Sequence, residues 1–260
     1  MNCDYYRIGR VPIAITNYGN TIELLHDTIH KGGKGYVCVS NMRTVTLANR
    51  DDAYYEVMEE SLMNVPDGTP LVWCGHWWGV REVERVCGPR LFEKMLADKE
   101  HGFKHFFLGD TDETLVALKT KATEKDGATI AGCYSPPFKP LEEYDMEGIA
   151  KLINDSEANV VWTSLRAPKQ DYLGRLLKPL LNDGIVVIGV GAAFRSYLGE
   201  LKVADGGWLQ KAGLGGWAML RDNSSFWKEF KWYVKHSLIL MSLFFLIKWR
   251  RVKGRTYNEL

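Results

Sequence analysis

The chain has 260 residues, 46% hydrophobic and 25% charged, which excludes a disordered polymer and supplies enough apolar side chains for a full core. A net charge of +1 excludes a uniformly basic nucleic-acid binder, so no nucleic acid is expected as a partner. The near-neutral total hides an asymmetry, because residues 227–260 carry eight Lys/Arg against Glu229 and Glu259, leaving −5 on residues 1–226.

The opening MNCDYYRIGR lacks the apolar core of a signal peptide. The five cysteines are scattered, with no CxxC and no Cys/His pair at metal-ligand spacing, and Cys38 and Cys133 sit in apolar runs as buried thiols. Both features point to a reducing cytoplasm. YVCVS (36–40) reads as a strand and 46–62 as the helix after it. A helix follows at 88–100, a strand at 103–109, a helix from Thr111 to Lys125 and a strand at 128–134. SPPFKP is a loop, EEYDMEGIAKLINDS a helix, and 158–165 and 185–191 are strands separated by a further helical stretch. Alternating strands and helices predict an α/β, Rossmann-like, mainly parallel sheet with helices on both faces. Binding sites in such sheets gather at the strands' carboxyl ends, here Ser40-Asn41, Gly109-Asp110, the region after Leu165, and Gly189–Ala193.

The boundaries assigned are 1–200 for the Rossmann-like domain and 201–260 for a C-terminal appendage. In that appendage the apolar run Leu238–Ile247 is broken only by Ser242 and is shorter than the roughly 20 residues that span a bilayer. Trp227, Trp232 and Trp249 flank it, with Lys235, Arg250 and Arg251 among the cations at its ends. That is the composition of an interfacial helix lying on an anionic membrane surface. Ten apolar residues also suit a helix packed into the domain or into a homo-oligomer interface, so both alternatives stay open.

The segment NVPDGTPLVW (64–73) places Asp67 in a Pro-Asp-Gly turn ahead of an apolar, aromatic-rich stretch. Proline restricts the backbone before the aspartate and Gly68 permits a sharp bend after it, so a carboxylate is presented at the edge of the core. A plain surface turn has the same signature.

These segments, taken in order, resemble the WecG/TagA/CpsF glycosyltransferases of bacterial surface-polysaccharide synthesis. The resemblance rests on VSNMRTVTLANRDD (39–52), VPDGTPLVW (65–73), RVCGPRLFEKML (85–96), FFLGD (106–110), APKQD (167–171), GVGAAFRSYLG (189–199) and WLQKAGL (208–214). It implies an inverting transfer, without cofactor or metal, of an N-acetylmannosamine-type or related hexose from a UDP-sugar donor to a polyprenyl-diphosphate-linked sugar acceptor. It also implies peripheral attachment at the cytoplasmic face of the bacterial plasma membrane. Asp67 then matches the general base that takes the acceptor hydroxyl's proton. Arg85 matches an arginine suited to the leaving diphosphate, its alternative being an ion pair with Glu82 or Glu84. Gln170 matches a donor-holding glutamine, unless Pro168-Lys169-Gln170 is only a first helical turn. Asn41 matches a strand-end asparagine with a turn-capping alternative, and Ser40, Gly68, Gly109 and Gly191 complete the substrate-binding set.

The chain departs from the family pattern at Val39 for threonine, Arg166 for glycine, Asp171 for glutamate and Arg195 for aspartate. It departs again at 203–205 and within 213–217. A catalytically altered relative that binds a nucleotide sugar or a partner protein is therefore the alternative function. Asp110-Thr111-Asp112 has the D-x-D spacing of a metal site, but the family places glycine at Asp110 and needs no metal, which favours a helix cap. His26/His30 and His101/His105 lie at i, i+4 and read as solvated positions.

Overall fold

The structure, a computed structural model, describes residues 3–201. The appendage beyond Leu201, and with it Trp227, Trp232, Lys235, Trp249, Arg250 and Arg251, lies outside the described residues.

Two short strands, β1 (Tyr5–Ile8) and β2 (Val11–Ala14), pair as an antiparallel hairpin. Helix α1 (Tyr18–His30) follows, its first turn capped by the Asn17 side chain, which accepts from the Asn20 N–H. The chain then alternates through β3 (Gly35–Ser40), α2 (Met42–Ala48), α3 (Asp52–Glu59), β4 (Met63–Pro66), α4 (Thr69–Trp77), α5 (Gly88–Leu96), β5 (Lys104–Leu108) and α6 (Asp112–Asp126). It ends with β6 (Thr129–Tyr134), α7 (Met146–Asp155), β7 (Val160–Thr163), α8 (Lys169–Leu177), β8 (Val186–Gly189) and α9 (Ala193–Leu198). Strands β3 to β8 form one parallel sheet in the order β4-β3-β8-β7-β5-β6, which bears out the α/β reading.

Each central strand feeds two cores because successive side chains point to opposite faces. Tyr36 and Cys38 pack with α2, α3, α7 and α8, whereas Val37 and Val39 pack with α1, α5, α6 and α9. Phe106 and Phe107 divide in the same way. Both faces being covered, the central strands β3, β7 and β8 are mostly apolar. Among the described residues no helix is long and apolar enough to cross a membrane.

Three expectations need correction. The helix assigned to 46–62 is two helices, broken where Asn49 turns its amide onto the Val45 and Ile8 carbonyls and Asp51 caps α3 by accepting from Tyr54 N–H. Strand β4 follows; as an edge strand it tolerates Pro66, and its buried Asn64 donates to the Met58 carbonyl at 2.8 Å. His105 is not solvated: it is buried and accepts a 3.0 Å hydrogen bond from Trp162 Nε1–H. Burial pushes its pKa down to about 4, which keeps the ring neutral and able to accept. Cys38 is buried as expected, while Cys133 is only half-buried.

The core on the α5 side centres on Phe92, whose ring lies 5.0 Å from Trp162, 5.4 Å from Phe194 and 5.7 Å from both Phe107 and Tyr197. These residues come from two strands and two helices, so removing the ring leaves a cavity that no single element can close. Phe92→Ala is expected to cost about 3–5 kcal/mol in equilibrium denaturant unfolding with an unchanged m-value.

Candidate active site

The residues predicted to carry chemistry collect along the carboxyl edge of the sheet. The β3–β4 register pairs Ser40 with Pro66, and the Asp67 N–H continues it by donating to the Ser40 carbonyl at 2.8 Å. Asp67 thus leaves β4 beside the first residues after β3. Asn41 caps α2 there, its side-chain oxygen accepting from the Arg43 and Thr44 N–H groups while Thr44 Oγ1 accepts the Asn41 N–H. Its capping alternative is therefore realised. Ser40 is fully buried with its hydroxyl donating to the Cys38 carbonyl, so it acts here through its backbone.

Gly68 departs from the expectation of a sharp glycine bend. Its φ of −86° and ψ of 127° suit any residue, and an added Cβ would make ordinary contact with Asn41 Cα at 3.6 Å. What glycine does at this position is leave the space between Asp67 and α2 unfilled.

Arg85, in the connection between α4 and α5, pairs with Asp67 and not with Glu82 or Glu84. Its Nη2 lies 3.1 Å from Asp67 Oδ1, and its Nε donates to the Asp67 carbonyl. The connection is itself held, since Val86 N–H donates to the Pro66 carbonyl at 2.9 Å and Cys87 N–H to the Tyr18 hydroxyl at 2.9 Å. Both side chains keep some exposure, 25% for Asp67 and 29% for Arg85. Burial raises the Asp67 pKa above the usual carboxylate value and Arg85 pulls it part of the way back. The result is a partly exposed carboxylate that is more basic than one in water.

On the other half of the edge, β8, β7 and β5 present Gly191, Ser164 and Gly109. Gly191 has φ +57° and Gly109 φ +115°, conformations in which a side chain is strained. Ser164 Oγ–H donates to the Gly191 carbonyl at 2.7 Å and ties the two loops together. Gln170, on the first turn of α8, is buried, and its Oε1 accepts the Gly191 N–H at 2.9 Å. It shapes the loop after β8 from below, and Pro168 stands just ahead of the helix.

Three departures from the family pattern acquire a physical account. Asp110 has φ +62° and Arg166 φ +60°, both at positions where the resemblance led us to expect glycine, and this is the backbone region that glycine occupies without cost. Asp110 is in turn gripped by Arg195, with Nε 3.0 Å from Oδ2 and Nη2 2.8 Å from Oδ1. Arg195 thereby holds Asp110 below the usual carboxylate value. Two departures are therefore partners of each other. The helix cap expected at Asp110–Asp112 is supplied by Thr111, which accepts the Thr114 N–H.

Asp171 does not face the site. It is buried beneath α3, its Oδ2 accepting the Tyr54 hydroxyl at 2.6 Å. Tyr18 and Ser164 are framework residues that sequence reasoning missed, because a tyrosine and a serine in loops and first turns carry no spacing signal.

Burial pushes the Asp171 pKa up to about 7 from 3.8. Between those values the unfolded chain gives up this proton while the folded chain keeps it, so the group's contribution to stability falls as pH rises from about 4 to about 7 and is constant above. Asp171→Asn, which retains an acceptor for Tyr54, is expected to remove that slope in urea unfolding measured across the same range.

The chain matches the Glycosyl transferase WecG/TagA/CpsF family across residues 6–254. It is 25% identical over 238 residues, covering 90% of each chain, to a Bacillus subtilis (strain 168) protein named N-acetylglucosaminyldiphosphoundecaprenol N-acetyl-beta-D-mannosaminyltransferase. A family match spanning nearly the whole sequence, borne by a parallel α/β sheet, shows that this chain belongs to the WecG/TagA/CpsF family of glycosyltransferases.

Proposed function

We propose that the chain transfers an N-acetylmannosamine-type hexose, with inversion, from a UDP-sugar to a polyprenyl-diphosphate-linked amino sugar in cell-surface polymer synthesis, with Asp67 as general base. The observation that carries this reading is the placement of a partly exposed, burial-raised carboxylate at the carboxyl edge, oriented by Arg85. The Bacillus subtilis relative, named for an undecaprenol-linked N-acetylglucosamine acceptor and an N-acetylmannosaminyl group, supplies the substrate class.

The acceptor hydroxyl oxygen attacks the anomeric carbon, its proton passes to Asp67, and the bond from that carbon to the UDP oxygen breaks. The hydroxyl acidifies only as its oxygen bonds to carbon, so a carboxylate suffices as base. Arg85 is committed to Asp67, which makes it a positioning residue in this reading. Neutralising the diphosphate falls to Arg166, exposed on the other half of the edge, since Arg195 is likewise committed to Asp110.

Asp67→Asn is expected to lower kcat by about 10²–10⁴ while nucleotide binding persists. Arg85→Ala removes the group that depresses the Asp67 pKa, so the acid limb of kcat/KM is expected to move to higher pH. Both are measured by transfer from a panel of UDP-sugars to a prenyl-diphosphate-linked N-acetylglucosamine. Nucleotide binding by the wild type without turnover on any donor would favour the second reading, a non-catalytic relative, which the changed residues Arg166 and Arg195 motivate.

A peripheral seat at the cytoplasmic membrane face belongs to the same proposal. Its support is compositional: eight Lys/Arg and three tryptophans within residues 227–260. Deleting residues 224–260 is expected to abolish sedimentation with anionic liposomes, and retained binding would refute this assignment.

A further inference from the structure

Far along the sequence from one another, α1 and the connection between α5 and β5 bring together Glu23, His26 and His101. One nitrogen or oxygen from each lies within 4.8 Å of the other two. Glu23 and His26 are three apart on one helix and so share a face. The His101 ring meets the His26 ring edge-on at 4.7 Å. These connections lead into the amino ends of β3 and β5, so the cluster sits at the rim opposite Asp67.

What distinguishes this cluster from a chance surface group is the way His101 is held. The Asp98 carboxylate accepts the Glu100 and His101 backbone N–H groups at 3.0 and 2.9 Å and lies 2.8 Å from His101 Nδ1. That bond fixes the proton of the neutral ring on Nδ1 and leaves the Nε2 lone pair facing Glu23 Oε1 at 3.3 Å. Two acceptors at that separation require a positive species between them. A proton on Nε2 satisfies the pair, and the two carboxylates do raise the His101 pKa against the opposing effect of burial. A divalent cation satisfies the same pair and also engages His26, which a proton on His101 does not.

We propose that Glu23, His26 and His101 bind a divalent transition metal of the zinc class, with Asp98 orienting His101 from behind. Two imidazoles and one carboxylate are an N/O donor set suited to Zn²⁺, with solvent completing the tetrahedron, and a carboxylate behind a ligating histidine is the usual outer-shell partner. The ion clamps α1 to the connection ahead of β5, across more than seventy residues of chain. It lies apart from the transfer chemistry and is compatible with a metal-independent reaction.

The test is calorimetric titration of the full-length, chelator-treated protein with ZnCl₂, followed by CoCl₂ with visible spectroscopy. One saturable site is expected, with cobalt ligand-field bands and no thiolate charge transfer. Glu23→Gln, an exposed change that leaves the core untouched, and His101→Ala are each expected to weaken binding at least tenfold, and Asp98→Asn by about 10–100-fold. Absence of saturable binding, thiolate charge transfer from cysteine ligands, or affinity unaltered in both Glu23→Gln and His101→Ala would overturn the proposal.

Discussion

The parallel ladder between β3 and β4 runs one residue past the strands, where the Asp67 N–H donates to the Ser40 carbonyl, and the site depends on that extra rung. It places the carboxylate of the Pro-Asp-Gly segment beside the start of α2 and lets the α4–α5 connection fold back onto the same point. Val86 and Cys87 anchor that connection through the Pro66 carbonyl and the Tyr18 hydroxyl, so Arg85 reaches Asp67 along a path of backbone hydrogen bonds. With both faces of the sheet covered by helices, the carboxyl edge is where irregular, polar backbone can meet solvent.

Two carboxylate–arginine pairs line that edge, and their environments push them in opposite directions. At Asp67 burial outweighs Arg85, and the pKa rises. At Asp110 two close bonds from Arg195 outweigh burial, and it falls. Burial thus makes one carboxylate more basic and an arginine makes the other less so, by the two opposing causes that shift such groups. The Asp110–Arg195 pair also leaves neither of its charges unpaired at the edge.

The fold was legible wherever one period ruled a whole segment. The strands 36–40, 103–109, 128–134, 158–165 and 185–191 and the helices at 88–100 and 111–125 all correspond to observed elements, because most of these strands are nearly continuous apolar runs. Strand β4 was hidden because Asn64 and Pro66 interrupt its run, and both are tolerated only by its edge position and by the Met58 carbonyl that satisfies Asn64. The split between α2 and α3 depends on Asn49 reaching the Ile8 carbonyl of the hairpin, a contact 41 residues distant. Helix α1 does carry a readable pattern in Ile22, Leu25 and Ile29, a signal overlooked beside the stronger apolar runs.

Asp67, Arg85, Asn41, Gln170 and the glycines were singled out by the resemblance of ordered motifs to a family, which points to residues without showing their geometry. How each side chain is held was decided by tertiary structure. Gln170 turns its oxygen to Gly191, Asn41 spends its oxygen on a helix cap, Ser40 is sealed in the sheet, and Asp171 is buried under Tyr54. The same holds for the histidines: spacing suggested pairs within each segment, whereas the structure joins His26 to His101 and buries His105 against Trp162. Local patterns record what neighbours in sequence share, which is period, cap and turn. The partner of a polar group is set by which strands and helices the sheet order brings together, and that order is a property of the whole chain.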